Sequence, residues 1–314
     1  MNKIPIVFIH KGFQEYVRVA LHQAKSYNLS TDIILIGDED NSHLSKICKH
    51  YTCEEFENET KKFDLCFKHF STTNSFAYEY FCLQRWFILL EFMKVKKLNW
   101  VFSADTDVLI YGSVNVFFNR HLKSNNYEAA FCIPNQLYSE LKWVASGHTC
   151  FISQDFLEKF CSFILNIYES NINILTPKID YHIKKNNAGG ISDMTFFYLY
   201  YYQFNKNILN LLENFGGKIY NSNVGIGNNN EISIDKIFWK RNLYFQKKPC
   251  YNNLSKGVII YESLHLHGGS KFYIKKFYSG FWFGYNYKKK FNNLMNKVYK
   301  RLSSFLFINF NCRK

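Results

Sequence analysis

The sequence predicts an α/β fold in which a mostly parallel sheet is flanked by helices, and its apolar patterning and its composition support this prediction. Short apolar runs alternate with helix-like patterns through residues 1–110, which is typical of βαβ units that build a mostly parallel sheet. The chain has 314 residues, of which 47% are apolar and 19% aromatic, so it can bury a sizeable core. No stretch approaches the roughly 18 to 20 uninterrupted apolar residues of a membrane-spanning helix, and the first apolar run is shorter than a signal-peptide core. We therefore expect a folded α/β protein that neither spans a membrane nor is secreted.

Each element has its own signal in the sequence. Apolar runs at residues 4–9, 33–36 and 100–102 predict the first three strands, and apolar residues at helical spacing predict helices over 17–28 and 83–93. The later elements are predicted at residues 129–133, 149–153 and 257–261 for strands and at 154–168 and 193–203 for helices. Helices thus lie between strands along the chain, as an α/β sheet requires.

Ligand contacts are expected at the carboxyl ends of the first strands, because open α/β sheets bind ligands there. The first strand ends at Ile9 and His10, which we expect to contact a bound nucleotide. The second strand is followed by the triplet Asp38-Glu39-Asp40. Asp38 can contact a nucleotide in the same way, or the triplet can be a solvated turn, and the sequence leaves both interpretations open.

The third strand leads into a second acidic triplet, Asp105-Thr106-Asp107, which apolar residues follow directly. Two carboxylates are thus held within an otherwise apolar segment, and burying them is costly unless a cation pairs with them. Hard divalent cations such as Mg²⁺ and Mn²⁺ take carboxylate oxygens together with substrate phosphates. The triplet therefore predicts a metal site, with a capping or turn pair as the alternative.

A second polar cluster follows the last predicted strand and contains His265, Gly268, Gly269 and Lys271. An imidazole can bind a metal, glycines let the backbone approach a phosphate closely, and a lysine supplies positive charge for a diphosphate. A lone histidine is more often structural. The combination nevertheless favours a segment that completes a site for a metal and a diphosphate.

An Asp-x-Asp triplet, at Asp105 and Asp107, followed much later by His-x-x-Gly-x-x-Lys from His265, resembles the motifs of the GT-A glycosyltransferases. The order is most similar to glycosyltransferase family 8, which includes bacterial lipooligosaccharide galactosyltransferases and glycogenin. This resemblance implies a GT-A type nucleotide-binding mixed sheet flanked by helices. It implies that Asp105, Asp107 and His265 hold Mn²⁺ or Mg²⁺. It further implies that Gly268 and Lys271 contact the diphosphate of the donor.

Further positions match the same family. Arg85 matches a basic residue that contacts the donor, and Ser146-Gly147 resembles a turn near the donor sugar. Asp193 resembles the first residue of an Asp-Gln pair, but Met194 follows it, which removes a side chain often proposed to lie beneath the anomeric carbon. Motif order favours retention of configuration. An inverting enzyme would need a general base near the acceptor hydroxyl, a catalytic role that Asp193 can also fill, so the stereochemistry stays open.

The positive charge of the chain is concentrated at its end. The chain holds 39 basic and 25 acidic residues, but residues 271–314 hold 11 basic and no acidic ones, which leaves 28 and 25, a net +3, in 1–270. A near-neutral body argues against a nucleic-acid partner. Residues 278–314 combine aromatic residues with a basic amphipathic helical pattern, which predicts a tail that binds an anionic membrane. A helix packed on the protein's own surface and a nucleic-acid arm are the alternatives.

The resemblance, which extends over roughly residues 3 to 275, implies a catalytic domain over 1–277 with a donor-binding half, 1–110, and an acceptor-side half, 111–277. It implies a metal-dependent transferase that moves a sugar from a nucleotide sugar, a UDP-sugar, to a cell-surface glycan or lipid-linked saccharide, as in lipopolysaccharide or capsule biosynthesis. The nine scattered cysteines are typical of reduced thiols, so we expect a cytoplasmic protein. Because of the basic tail, we expect it to lie peripherally on the inner face of the cytoplasmic membrane. The alternatives are a nucleotide-sugar hydrolase, a nucleotidyltransferase, and a non-catalytic basic module that binds membrane or nucleic acid.

Overall fold

A seven-stranded mixed sheet lies at the centre of the fold. The structure is a computed structural model, and it describes residues 3–185, 187–220, 224–225, 232–241, 247–253 and 257–280. The strands are β1 (Ile6–Ile9), β2 (Ile33–Gly37), β3 (Lys49–Thr52), β4 (Trp100–Ala104), β5 (Val108–Ile110), β6 (Ala129–Cys132), β7 (Ser146–Ser153), β8 (Ile208–Asn210), β9 (Lys218–Tyr220), β10 (Val224–Gly225), β11 (Ile232–Ser233), β12 (Phe238–Arg241), β13 (Lys247–Asn253) and β14 (Gly257–His265). The α-helices are α1 (Glu15–Tyr27), α2 (Thr60–Cys66), α3 (Phe76–Val95), α4 (Val114–Phe117), α5 (Gln154–Ser170), α6 (Thr176–Ile183), α7 (Asp193–Phe204) and α8 (Ile274–Phe277).

The central sheet has the strand order β3-β2-β1-β4-β7-β6-β8. Strand β1 pairs in parallel with β2 and with β4, so that Phe8 lies opposite Leu35 on one side and Ala104 on the other. Strand β7 runs antiparallel to β4 and to β6. Strand β2 lies on one side of β1 and β4 lies on the other, so the strand order reverses at β1. The carboxyl ends of β1 and β4 therefore form a topological switch point. Crevices of this kind are where open α/β sheets bind ligands.

A second sheet brings the late part of the chain back to the acidic triplet. Its order is β12-β13-β14-β5, and β9 also pairs with β14. Strand β14 runs antiparallel to β5, with Leu264 opposite Leu109 and His265 opposite Val108. His265, the last residue of β14, is therefore aligned with the residue that directly follows Asp107.

Two apolar cores, one on each face, cover the central sheet. In β1, Val7 and Ile9 join the core under α3, α5 and α7, whereas Ile6 and Phe8 join the core shared with α1 and β5. Successive side chains of a strand point to opposite faces, so a strand covered on both faces is apolar throughout. This explains why β1 shows an uninterrupted apolar run rather than an alternating one.

The predicted α/β class is confirmed, and the predicted elements are present with shifted ends. The helix expected over 83–93 begins earlier, as α3, because Ser75 caps it by accepting a hydrogen bond from the Tyr78 amide (3.3 Å). The strand expected to end at residue 261 continues to His265 because it pairs with β5. The predicted tail falls, from residue 281 onward, outside the described residues.

Two further sequence expectations concern membranes and thiols. Among the helices in the described ranges, none is both long enough and apolar enough to cross a bilayer. Eight of the nine cysteines lie in the described part of the chain, and each has a free thiol.

Gly147 lies where β7 passes beneath α3 and α7. A Cβ atom added there would lie 2.7 Å from the Trp86 ring and 2.9 Å from the Phe197 ring. We expect Gly147→Ala to lower the free energy of unfolding by about 1 to 3 kcal/mol, because both rings are held in a packed core. Urea denaturation measures this loss. Gly269→Ala is the matched control, since nothing lies within 4 Å of its added Cβ. An equal loss in both variants would contradict the packing argument.

Candidate functional site

The candidate site begins with the turn that follows β4. Asp105 donates its amide to the carbonyl of His148 (2.8 Å), and its own carbonyl accepts from the amide of Val108 (3.0 Å). This second bond closes a four-residue turn over Asp105, Thr106, Asp107 and Val108. The apolar residues before and after the turn belong to β4 and β5, which hold it at the edge of both sheets.

Asp105, Asp107 and His265 meet at this turn. Each offers one ligand atom, and the three atoms lie within 4.8 Å of one another. Asp107 Oδ1 is 3.4 Å from His265 Nε2, and the Asp107 carbonyl accepts from the Leu266 amide (3.0 Å), which fixes the end of β14 beside the turn. The structure thus brings together the three residues for which the sequence predicted a shared metal ion.

Asp107 is buried, with 9% of its side chain exposed, and Lys271 Nζ lies 3.1 Å from its Oδ2. Burial opposes ionisation of Asp107, but His265 and Lys271 outweigh it and hold the pKa of the carboxyl well below its usual range. Within the described ranges, Asp107 Oδ1 has no hydrogen-bond partner. An ionised, buried oxygen that faces an imidazole and a second carboxylate suits a divalent cation. The two carboxylates fit the preference of Mn²⁺ and Mg²⁺ for oxygen ligands, and the imidazole favours Mn²⁺, the softer of the two.

Arg85 joins the acidic turn to the start of α7. Its guanidinium pairs with Asp105 and donates from Nη2 to Asp193 Oδ2 (2.8 Å), and Trp86 Nε1 donates to the same oxygen (3.2 Å). Burial works against the charge of Arg85, but Asp105 and Asp193 outweigh it and raise the pKa of the guanidinium well above its usual value. Arg85 and Asp193 were expected site residues from the sequence, whereas Trp86 was not, and its indole joins them through this hydrogen bond.

The ends of β1 and β2 lie beside the acidic turn. Thr106 Oγ1 is 3.0 Å from His10 Nδ1. Asp38 Oδ2 accepts from the Gly12 amide (2.5 Å), and buried Asn41 donates to the carbonyls of His10 and Gly12 (2.9 Å each). Burial lowers the pKa of His10. Asp38 therefore organises the loop after β1, and its contact with a nucleotide stays a prediction.

The other predicted donor contacts have different surroundings, and their roles stay predictions. The side chain of Ile9 is buried in the core. Ser146 Oγ lies 2.8 Å from His148 Nδ1, and Gly147 is packed against aromatic rings. Gly268 has a φ of 56°, in the region that favours glycine, and nothing lies within 4 Å of a Cβ atom added there. An open backbone of this kind suits close approach of a phosphate.

His148 is a second residue that the sequence analysis did not single out. It is 2% exposed, and its ring stacks on that of His265 with centroids 4.2 Å apart and planes 15° apart. A signal was present, because His148 is an imidazole that directly precedes the strand predicted over 149–153. The partner of its ring, however, comes from β14, which no local pattern in β7 indicates.

Lys178 lies buried beneath the start of α7. Its Nζ donates to the carbonyls of Lys142 (2.6 Å) and Trp143 (3.3 Å) and to Thr195 Oγ1 (2.9 Å). Burial lowers the pKa of Lys178 to about 7, against a smaller opposing effect of Glu79. Lys178, which belongs to α6, therefore links the loop before β7 to α7. Its amino group titrates near neutral pH.

The lowered pKa predicts a pH-dependent stability. Between about pH 7 and the ordinary lysine pKa of 10.5, the unfolded chain binds the Lys178 proton more tightly than the folded chain, so stability rises with pH. We expect this residue to add about 1 to 2 kcal/mol between about pH 7 and 8.5, a gain that Lys178→Met removes. Urea denaturation across this range measures it, with exposed Lys184→Met as the control. Parallel profiles for wild type and Lys178→Met would contradict the argument.

A separate groove lies between α5 and the end of α7. Its volume is about 1120 Å³, and aromatic and amide side chains such as Phe163, Phe204 and Asn166 line it. No predicted site residue is among its lining residues. The acidic turn and this groove are therefore separate features.

Comparisons with known proteins give likeness of shape only. No protein-family model and no curated protein matches the chain. Among solved structures, the chain is similar to mouse xyloside xylosyltransferase 1 in its apo form, with 11% identity, a TM-score of 0.46, and coverage of 67% of this chain and 85% of that one. It is also similar to an active-site mutant of LgtC (12% identity, TM-score 0.40, coverage 84% and 88%) and to the bifunctional glycosyltransferase WbbM (10%, 0.42, 70% and 40%). Identities and scores of this size transfer neither activity nor substrate to this chain.

Proposed function

We propose that this protein is a metal-dependent glycosyltransferase that moves a sugar from a nucleoside diphosphate sugar, a UDP-sugar, to a glycan or lipid-linked saccharide. One observation carries the proposal: Asp105, Asp107 and His265 converge at the carboxyl ends of β1 and β4, with Lys271 beside them. This is the position at which α/β sheets bind nucleotides. The metal ligands and the lysine together suit a diphosphate.

Asp105, Asp107 and His265 would hold the cation, which when bound neutralises charge on the diphosphate leaving group. Lys271 would add a second positive charge, because its Nζ lies 3.1 Å from Asp107 and about a third of its side chain is exposed. Gly268 would let the backbone approach the same phosphates. The chain's contribution is mainly electrostatic stabilisation and positioning of the leaving group.

Asp193 remains the proposed catalytic residue. One of its oxygens already accepts hydrogen bonds from Arg85 and Trp86, which leaves the other oxygen to contact the donor sugar or the acceptor hydroxyl. Arg85 would orient Asp193 and Asp105 toward the same sugar. We favour retention of configuration, on the order of the motifs along the chain.

Nucleoside diphosphate release tests the proposal. The full chain is incubated with a panel of nucleotide sugars and Mn²⁺, with and without oligosaccharide acceptors. We expect release from one donor, an increase when an acceptor is added, and loss of release with a chelator. Release that no acceptor increases would instead indicate a hydrolase, and release of sugar 1-phosphate from the donor would indicate a nucleotidyltransferase. Donor binding without any turnover would favour a non-catalytic binding module.

We further propose that the basic tail places the enzyme at an anionic membrane, where a lipid-linked acceptor lies. Three adjacent lysines, Lys288, Lys289 and Lys290, carry much of its charge. Replacing all three by serine is expected to weaken binding to anionic vesicles at least about tenfold, since each surface lysine contributes about 1 kcal/mol. Cosedimentation measures binding, with neutral vesicles as the control. Unchanged binding to anionic vesicles would contradict the membrane proposal.

A further inference from the structure

We propose that His148 is a positioning residue of the metal centre, whose ring holds the metal ligand His265 in the orientation that binds the cation. The inference rests on the metal site within the proposed function and adds a residue outside the ligand set. Its basis is the stacking of the two imidazoles, with centroids 4.2 Å apart and planes 15° apart. Near-parallel rings at this distance are in van der Waals contact over a whole face. His265 therefore cannot rotate on this side without displacing His148.

His148 reaches two of the three ligands through different groups. Its ring stacks on His265, and its backbone carbonyl accepts the amide hydrogen of Asp105 (2.8 Å). The two contacts involve different elements, since Asp105 follows β4 whereas His265 ends β14. One residue of β7 thus fixes the spacing between a carboxylate ligand and the imidazole ligand.

The ring of His148 is itself anchored. Its Nδ1 lies 2.8 Å from Ser146 Oγ, and its Nε2 lies 3.8 Å from the sulfur of Cys132, a fully buried residue at the end of β6. Both ring nitrogens thus face groups of the sheet, and His148 is not one of the residues grouped around the candidate metal position. Its role is therefore to provide a rigid surface against which the His265 ring packs. Because His148 is only 2% exposed, its own ring has little room to move.

A fixed ligand lowers the cost of ordering the site when the cation binds. Groups that orient metal ligands from outside typically affect metal affinity by about 10- to 100-fold when they are replaced. Stacking needs a flat ring rather than a histidine as such. Phenylalanine should preserve the flat packing surface, whereas leucine should remove it. The backbone bond to Asp105 persists in both variants, so the comparison isolates the ring.

The test is a Mn²⁺ titration of the full chain, followed by the electron paramagnetic resonance signal of free Mn²⁺. We expect His148→Leu to weaken Mn²⁺ binding by about 10- to 100-fold and His148→Phe to stay within about threefold of wild type. His182→Leu, which removes a buried imidazole from α6, is the matched control and should bind Mn²⁺ as wild type does. Urea denaturation establishes that each variant is folded at the titration temperature.

Two results would overturn the inference alone. One is wild-type Mn²⁺ affinity in folded His148→Leu, and the other is an equal loss in His148→Phe and His148→Leu, since the flat ring would then not be the cause. A wild-type chain that binds no Mn²⁺ would overturn the metal centre and the proposed function along with it. The failure of the positioning role and the failure of the site are thus distinguished by the wild-type titration.

Discussion

Asp107→Asn is expected to abolish metal-dependent turnover, with a loss of at least about 100-fold, while the fold stays intact. Asparagine has nearly the same shape as aspartate, so the turn after β4 can persist. The substitution nevertheless removes the buried negative charge that faces His265 and pairs with Lys271. A neutral amide oxygen is a weaker ligand for a hard cation than a carboxylate. The loss should therefore appear both in turnover and in Mn²⁺ affinity.

The experiment measures nucleoside diphosphate release by purified Asp107→Asn with every donor that the wild type uses. Asp40→Asn is the matched control, because Asp40 also ends an Asp-x-Asp triplet but is exposed and lies outside the ligand cluster. It should retain wild-type turnover. If Asp107→Asn turned over every active donor at the wild-type rate, the metal assignment would fail, and with it the proposed role of His265.

Arg85→Gln is expected to lower the free energy of unfolding by about 3 kcal/mol or more. Arg85 is 15% exposed and lies between Asp105 and Asp193, of which Asp193 is the more deeply buried. Removing the guanidinium leaves two carboxylates close together without their shared cation, and breaking a buried pair in this way costs about 3 to 5 kcal/mol. Urea denaturation at neutral pH without added metal measures the loss.

Two variants make this prediction specific. Lys49→Gln breaks an exposed pair with Asp32 and is expected to cost less than about 1 kcal/mol. The double variant Arg85→Gln/Asp193→Asn removes one of the stranded charges and should recover part of the stability. A loss in Arg85→Gln no larger than that in Lys49→Gln would show that the buried pairs contribute little to the fold.

The strands and helices were predictable where the apolar residues of one segment form a strong local pattern. The apolar runs of β1 and β2 and the amphipathic pattern of α5 are set by residues within one segment, so their positions agree with the structure to within a few residues. Strand β5 was missed because it has three residues and follows Asp107 without a turn signal of its own. Helix α6 was missed because it is also short, with eight residues.

The chemistry of the site was visible in the order of residues, but its assembly was not. An acidic pair inside an apolar segment and a late segment with an imidazole, glycines and a lysine indicate a metal and a diphosphate from residue types alone. Their meeting depends on the register of β14 against β5, which pairs residues far apart in the chain. No local pattern encodes that register.

From the chain alone came the α/β class and the kinds of groups that can bind a cation and phosphates, because both follow from short-range patterns. Only the tertiary structure decided that Arg85 joins Asp105 to Asp193, and that His148 lies against His265. Contacts of this kind join strands and helices distant in sequence. They arise from how the two sheets pack around common cores, which depends on the whole folded chain at once.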